Sequence, residues 1–86
     1  MKNYVTIFTR PNTSVMFPEL AHFERSDSQV GSLSEISEDL LTLTFIRTFA
    51  TEADAIAYSQ NPEVVAFHEA QAAKMEGTGI TRQITL

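Results

Sequence analysis

Cysteine is absent from this chain of 86 residues. Its absence excludes disulfides, thiolate-bound metals and cysteine nucleophiles, and with them zinc ribbons, iron–sulfur proteins and thiol redox switches. A chain of this length buries only ~60–65% of the surface that its unfolded form exposes. We expect a single domain over residues 1–86 whose core is apolar packing, extended by a subunit interface.

Positive charge is scarce and dispersed. Six Lys and Arg residues stand against eleven Asp and Glu residues, for a net charge of −5. The cations are separated along the chain: Lys2, Arg10, Arg25, Arg47, Lys74 and Arg82. Nucleic-acid affinity grows with the number of phosphates that clustered cations neutralise. We therefore expect no nucleic-acid partner, although distant cations can converge in a fold.

Long apolar runs are also missing. No run approaches the ~18–20 residues that a membrane-spanning helix needs. The N-terminal residues MKNYVTIFTRPN alternate between apolar and polar, without the apolar segment and cleavage site of a signal peptide. We expect no membrane association and a cytoplasmic location.

Phosphate-binding loops and hydrolase motifs are absent. Neither G-x-G-x-x-G nor G-x-x-x-x-G-K-[ST] occurs, and Gly77-Thr78-Gly79 is too short and precedes a strand. No G-x-S-x-G nucleophile elbow is present either. The sequence indicates no nucleotide or other cofactor.

The first half of the chain predicts two strands and a helix. Residues 3–10 alternate, with Val5 and Ile7 on one face and with Tyr4, Thr6 and Phe8 on the other. Residues 13–24 space Met16, Leu20 and Phe23 as on one helix face, and Pro18 favours a start near it. Residues 29–37 predict a short second strand.

The second half has clearer boundaries. Residues 40–49 predict a central strand with apolar groups on both faces. Thr51 and Asp54 form a capping-box pattern before a helix, whose apolar stripe we assign to Ala53, Ile56 and Ala57. Asn61-Pro62 starts a second helix to Met75. Its expected buried residues are Val64, Phe67, Ala70 and Met75, and Gly77 and Gly79 end it. Residues 80–86 predict a last strand with Ile80, Arg82, Ile84 and Leu86 inward.

These elements predict an α+β fold in the order β-α-β-β-α-β. This is the ferredoxin-like arrangement, an antiparallel four-stranded sheet with the helices on one face. Its other face would still carry apolar groups, and a second copy of the sheet can cover them. The expected partner is therefore the chain itself, as a homodimer.

The stretch TLTFIRTFATEADAIAYSQNPEVVAFHEA resembles the dimeric α/β barrel family. A strand ends in an aromatic residue, a capped helix follows, and Asn-Pro separates it from a longer helix. The resemblance covers about half of the chain. It implies sheet-on-sheet dimers, and some members are oxygenases, isomerases or peroxidases that bind apolar or aromatic ligands between sheet and helices. It implies that Tyr4, His22, Arg47 and His68 are candidate site residues. No catalytic motif of the family is matched.

In its general style the chain also resembles small uncharacterised proteins of large tailed phages. That resemblance implies a viral origin and a location in the host cytoplasm.

Two histidines are the obvious candidates for metal binding or acid–base chemistry. Glu19 and His22 share the Glu-x-x-His spacing of di-iron bundles, but only one copy is present, and a surface pair explains it as well. His68 has no second ligand at metal spacing, so no metal site is predicted. For Arg47 and Arg82, which follow apolar positions in strands, the simplest interpretation is a salt bridge at a sheet rim.

The sequence leaves three functional hypotheses open. The leading one is a non-enzymatic homodimer that acts by binding. The second is a cofactor-independent enzyme or a small-ligand binder with a pocket between sheet and helices, in which a histidine would have a perturbed pKa. The third is an acidic inhibitor of a basic protein, whose association would depend strongly on salt.

Overall fold

The computed structural model describes residues 1–18 and 29–86. These residues form an α+β fold of one four-stranded antiparallel sheet and two helices. In chain order the elements are β1 Lys2–Thr9, β2 Gln29–Ile36, β3 Thr42–Phe49, α1 Glu52–Gln60, α2 Pro62–Met75 and β4 Thr81–Thr85. All four predicted strands and both predicted helices of the second half are therefore confirmed.

The sheet has the strand order β2-β3-β1-β4, with β2 and β4 at its edges. The two long central strands pair in register, so that Tyr4 lies opposite Arg47 and Val5 lies opposite Ile46. Side chains on directly opposite residues point to the same face of a sheet. The register therefore decides which residues of distant segments meet.

Both helices cover the same face of the sheet. Tyr58 of α1 contacts Tyr4 and Phe49, and His68 of α2 stacks on Tyr4. This covered face holds the predicted group of Tyr4, Thr6 and Phe8, all of which are buried. On the opposite face, which we call the open face, neither helix lies over Val5, Ile7 or Ile46.

The described part of the segment after β1 is irregular up to Pro18, near which the predicted helix would start. Residues 13–15 form turns and a bend, and residues 16–18 have no regular structure. Met16, which helical spacing grouped with Leu20 and Phe23, is 85% exposed. The Asn12 side chain accepts hydrogen bonds from Ser14, which closes a local turn in place of a helical one. The rest of the predicted helix, with Leu20 and Phe23, lies outside the described residues.

The loop between β2 and β3 shortens the predicted third strand. Leu40 has a positive φ of 63°, a conformation that strand residues do not adopt. Asp39 accepts hydrogen bonds from Ser37 and from the backbone N–H of Leu41. Arg10 holds the loop from β1 by donating to the Leu40 carbonyl at 2.8 Å. The strand consequently begins at Thr42 instead of Leu40.

The predicted helix boundaries are confirmed in atomic detail. Thr51 caps α1, accepting from the Asp54 N–H at 3.2 Å while its hydroxyl donates to the Asp54 carboxylate at 2.8 Å. Asn61 caps α2 by accepting from the Glu63 N–H at 2.9 Å, with Pro62 in the first turn. Gly77 and Gly79, both at positive φ, turn the chain into β4.

The predicted buried faces of the helices need correction. In α1 the stripe of Ala53, Ile56 and Ala57 is exposed. Ala55 is fully buried instead, and Tyr58 packs beside it.

In α2 Val64 is buried as predicted. Ala70 is exposed, Phe67 and Met75 are half-buried, and the polar Gln71 is buried. Both errors come from ranking aliphatic residues above Tyr58 and Gln71, whose polar atoms find partners beneath the helices.

The last strand also departs from prediction. Ile84 and Leu86 are 37% and 40% exposed. Ile84 pairs with Thr6 and so faces the covered side as predicted, but it lies near the end of an edge strand, and Leu86 lies beyond that end. Arg82 does point inward, as predicted, and it contacts α2.

No helix within residues 1–18 and 29–86 is long and apolar enough to cross a membrane.

Candidate binding cleft

A shallow cleft with a volume of about 20 Å³, which is room for about one water molecule, lies between the covered face and the helices. We call it the polar cleft. The sheet contributes its floor and the two helices its walls. The side chains that line it are Tyr4, Thr6 and Phe8 of β1, Phe45 and Arg47 of β3, Tyr58 of α1, and Phe67, His68 and Gln71 of α2.

Three of the four candidate site residues meet in this cleft. Tyr4 and Arg47 lie opposite each other on the two central strands, and His68 lies above them on α2. The fourth candidate, His22, lies outside the described residues, as does Glu19. Segments more than 60 positions apart in the sequence thus supply one set of polar groups.

Arg47 is the cleft's most deeply placed cation, only 7% exposed. Its guanidinium carbon lies 4.8 Å from the centre of the Phe45 ring and 5.3 Å from that of Tyr58. It also hydrogen-bonds the Tyr58 hydroxyl. The faces of aromatic rings attract cations, and they replace part of the water that the guanidinium loses on burial.

Arg82 extends the positive character of the same region. One of its guanidinium nitrogens donates to the His68 carbonyl at 3.0 Å and to the Gln71 amide oxygen at 2.9 Å. These acceptors are neutral, and they bind the edge strand to α2. Arg82 is therefore held by neutral acceptors on α2, and the predicted salt bridge at the sheet rim is wrong for this residue.

The two tyrosines supply neutral hydroxyl groups. The rings of Tyr4 and Tyr58 meet edge to face, with centroids 5.2 Å apart. Burial raises the pKa of both phenols. For Tyr58, the nearby Arg47 partly offsets this rise in pKa. For Tyr4, repulsion from an ionised Tyr58 raises the pKa further, and the charges of Arg82 and Arg47 lower it. Both side chains remain protonated at neutral pH and can donate hydrogen bonds.

His68 is held as a neutral imidazole. Its ring is nearly parallel to that of Tyr4 at 6.4 Å and meets Phe67 edge-on at 6.3 Å. Burial lowers its pKa, and the charges of Arg82 and Arg47 lower it further. The positive charges of both arginines therefore act on the His68 ring, although the chain as a whole is acidic.

The electrostatics of the polar cleft point to an anion. The described residues that line it include a buried arginine, a histidine and two phenols, but no Asp or Glu. Its walls are otherwise aromatic. Every buried side-chain nitrogen and oxygen within the described residues has a hydrogen-bond partner. No group of three or more His, Asp or Glu residues suitable for a metal ion occurs in the same part of the chain.

Sequence reasoning missed Tyr58 and Gln71 as members of this site. Gln71 lies four residues after Phe67 and seven after Val64, so helical spacing alone places it on the buried face. Tyr58 lies three residues after Ala55 in the same way. Helical spacing therefore places both residues on the buried faces of their helices. They were not predicted there because core positions are usually apolar.

No protein-family model, curated protein or solved structure matches this chain. The resemblances to dimeric α/β barrel proteins and to phage proteins accordingly stay predictions.

His68 is expected to make folding depend on pH. Its pKa in the folded chain is below the ordinary value of 6.5, so the unfolded chain takes up the proton more readily. Well above pH 6.5, His68 is neutral in both the folded and the unfolded chain, so it does not change the free energy of unfolding. The free energy of unfolding should fall as the pH drops through 6.5 towards the folded-state pKa. Urea unfolding between about pH 7.5 and pH 5.5 measures this slope.

The matched control is His68→Gln, which cannot titrate. Acidic residues and His22 contribute equally in both proteins, so the difference between the two slopes isolates His68. Parallel slopes would show that His68 binds protons equally well in the folded and unfolded chain.

Proposed function

We propose that this protein binds a small organic anion, with a carboxylate as the recognised group, in the polar cleft. The observation that carries the proposal is the convergence of Arg47, His68, Tyr4 and Tyr58 in one opening whose described lining has no acidic residue. A few convergent polar groups beside aromatic side chains are features that this cleft shares with small-molecule sites.

The chemistry of each group suits a carboxylate. A guanidinium presents five N–H donors in a planar fork that matches two carboxylate oxygens. Tyr58 already contacts that guanidinium, and its raised pKa keeps it a donor rather than a competing anion. The aromatic walls favour an apolar body on the ligand and reduce competition from water. Neutral His68 can accept a proton or donate one N–H to the anion.

The topology of the fold and its relation to dimeric α/β barrel proteins are part of the same proposal. We infer a ferredoxin-like topology, and the antiparallel order β2-β3-β1-β4 supports it. The resemblance to dimeric α/β barrel proteins supports a ligand between sheet and helices. It also keeps open a cofactor-independent enzyme that acts on such an anion, with His68 as the proton acceptor.

A second candidate function is self-association through the open face, in the manner of a dimeric α/β barrel. Leu33, Ile46 and Val5 lie opposite one another on β2, β3 and β1, and they form an apolar row across the sheet. Ile7 adds to the row, while Thr44, Thr48, Gln83 and Asn3 surround it. An apolar centre with a polar rim and few charges is characteristic of protein interfaces.

The size of the open face fits a dimer. Four strands at ~4.8 Å spacing and up to eight residues at ~3.3 Å give a face of roughly 20 by 26 Å before side-chain relief is counted. Standard interfaces bury about 800 Å² of each partner. A homodimer in the cytoplasm, of viral or cellular origin, is thus compatible with ligand binding on the other face of the same sheet.

Binding of benzoate and of its neutral analogue benzamide tests the proposed ligand class. Isothermal titration should show saturable benzoate binding that is at least about tenfold tighter than benzamide binding, because a charge-assisted hydrogen bond contributes ~1.5–3 kcal/mol. In the unmodified protein, bound benzoate should also raise the pKa of His68, which NMR detects on the ring carbons. Equal affinity for the two compounds would overturn the proposal, as would a His68 pKa that benzoate does not move.

Arg47→Met and Arg10→Met make a matched pair for this experiment. Each removes one positive charge, but Arg10 binds the carbonyls of Leu40 and Val15 and stacks on Phe17, away from the cleft lining. Arg47→Met is expected to weaken benzoate by about tenfold or more, and Arg10→Met by less than about twofold. An equal effect of both variants would mean that net charge, not the cleft, attracts the anion. The NMR readout above does not depend on either variant folding.

A further inference from the structure

A second cleft lies alongside the polar cleft on the same helix. Its volume is about 90 Å³, and Pro18, Phe67, Ala70, Gln71 and Lys74 line it. We call it the apolar cleft. Phe67 and Gln71 line both clefts, so the two lie side by side along α2.

The apolar cleft follows one face of α2. Its residues Phe67, Ala70, Gln71 and Lys74 recur at spacings of three and four, which places them along one side of the helix. From Phe67 to Lys74 this side is roughly 10 Å long. Ala70 is exposed in its middle, and the small side chain leaves a depression between the Phe67 ring and the Lys74 stem.

Gln71 sets the polarity at the junction. It is only 5% exposed, and its amide oxygen accepts from Arg82. The amide oxygen is therefore held towards Arg82, and the other side chains that line the apolar cleft are Pro18, Phe67, Ala70 and Lys74. Positive charge and hydroxyls lie on one side of this junction, and apolar surface lies on the other.

We propose that the natural ligand is an amphipathic monocarboxylate with a flexible, unbranched apolar tail. Its carboxylate occupies the polar cleft, and its tail passes Phe67 and lies over Ala70 towards Lys74. This inference rests on the proposed anion binding and adds the class of the ligand. The position of the two clefts side by side along α2 and the difference in their linings carry it.

Chain length is the first test. Dissociation constants for acetate, butanoate, hexanoate and octanoate, measured below micelle-forming concentrations, should fall by about fourfold per buried methylene, which corresponds to ~0.8 kcal/mol each. Octanol should bind much more weakly than octanoate, because it lacks the anionic group.

Ala70→Glu and Ala73→Glu form the matched pair. Both add one carboxylate to an exposed position of α2, but only Ala70 lines the apolar cleft. We expect Ala70→Glu to weaken octanoate by about tenfold or more and to leave benzoate within about threefold. Ala73→Glu should change neither. Both variants are surface substitutions in a capped helix, so folding should be retained.

The outcomes separate the two proposals. If benzoate binds and responds to Arg47→Met but affinity does not depend on chain length, the polar cleft stands and the apolar tail is wrong. Equal loss of octanoate in Ala70→Glu and Ala73→Glu would also overturn the tail position. If neither benzoate nor octanoate binds saturably, or if octanol binds as well as octanoate, the anion site itself fails and this inference fails with it.

Discussion

Phe49→Ala is expected to remove ~3–5 kcal/mol from the free energy of unfolding, the largest change that one core substitution should cause in this chain. Phe49 is 1% exposed and belongs to the buried cluster with Tyr4 and Ala55. Its ring meets that of Tyr58 at a centroid distance of 5.2 Å. The substitution leaves a cavity where β3 meets α1, and the neighbouring rings are too rigid to fill it.

Urea unfolding followed by circular dichroism measures this loss. Natural domains of this size have a total stability of about 5–15 kcal/mol, so the variant should be close to unfolding or already unfolded at 25 °C. Phe49→Leu keeps most of the volume and should cost less. Ile36→Ala, at a strand residue that is 51% exposed, is the control and should change stability by less than about 1 kcal/mol. A Phe49→Ala protein as stable as the Ile36→Ala control would contradict the assignment of the core.

Ile46→Lys is expected to convert a homodimer into a monomer. Ile46 lies in the centre of the open-face row, between Leu33 and Val5. In a two-fold symmetric interface the substitution places two unpaired charges at the apolar centre. Burying even one unpaired charge costs ~3–5 kcal/mol, so the dimer dissociation constant should rise by at least about a hundredfold. The folded monomer should survive, because this position points away from the helices.

Light scattering over a dilution series measures the effect. Ile36→Lys is the matched control: it makes the same substitution in the same sheet, but Ile36 pairs with Leu43 on the covered face and is half exposed at the edge. The control should keep the mass of the unmodified protein. If the unmodified protein is monomeric at every concentration, the proposed homodimer is wrong. A dimer that Ile46→Lys leaves intact would show that another surface forms it.

In the proposed function, neighbouring residues of one strand serve the two faces of the sheet separately. Arg47 and Phe45 point into the polar cleft, whereas Ile46 between them points to the open face. Ligand binding and self-association can therefore be altered independently by substitutions one residue apart. If Ile46→Lys abolished benzoate binding as well, the cleft would depend on the dimer.

Much of the fold was predictable because it depends on local chemistry. The alternation in residues 2–9 and 42–49 specifies strands, and it divides Tyr4, Thr6 and Phe8 from Val5 and Ile7. Thr51 with Asp54, and Asn61 with Pro62, satisfy the first backbone N–H groups of each helix, so the boundaries follow from residue type. Gly77 and Gly79 adopt positive φ, which costs glycine little.

The polar cleft was predictable only in part. Tyr4, Arg47 and His68 were candidate residues from the resemblance, but periodicity does not say which face of a strand the helices will cover. The choice between Arg47 as a rim residue and Arg47 as a buried one depends on that assignment. It also depends on the pairing of Tyr4 with Arg47 across two strands that lie about forty residues apart in the sequence.

The sequence by itself determined the segments: where strands run, where helices begin and end, and which residues share a face. The tertiary structure alone decided which of those faces meet. It placed Arg47 between two aromatic rings, buried Gln71 against Arg82, and left Ala53, Ile56 and Ala57 exposed. The physical reason is that dihedral preferences and caps act within a few residues, whereas burial and pKa depend on neighbours that strand register brings together from distant positions.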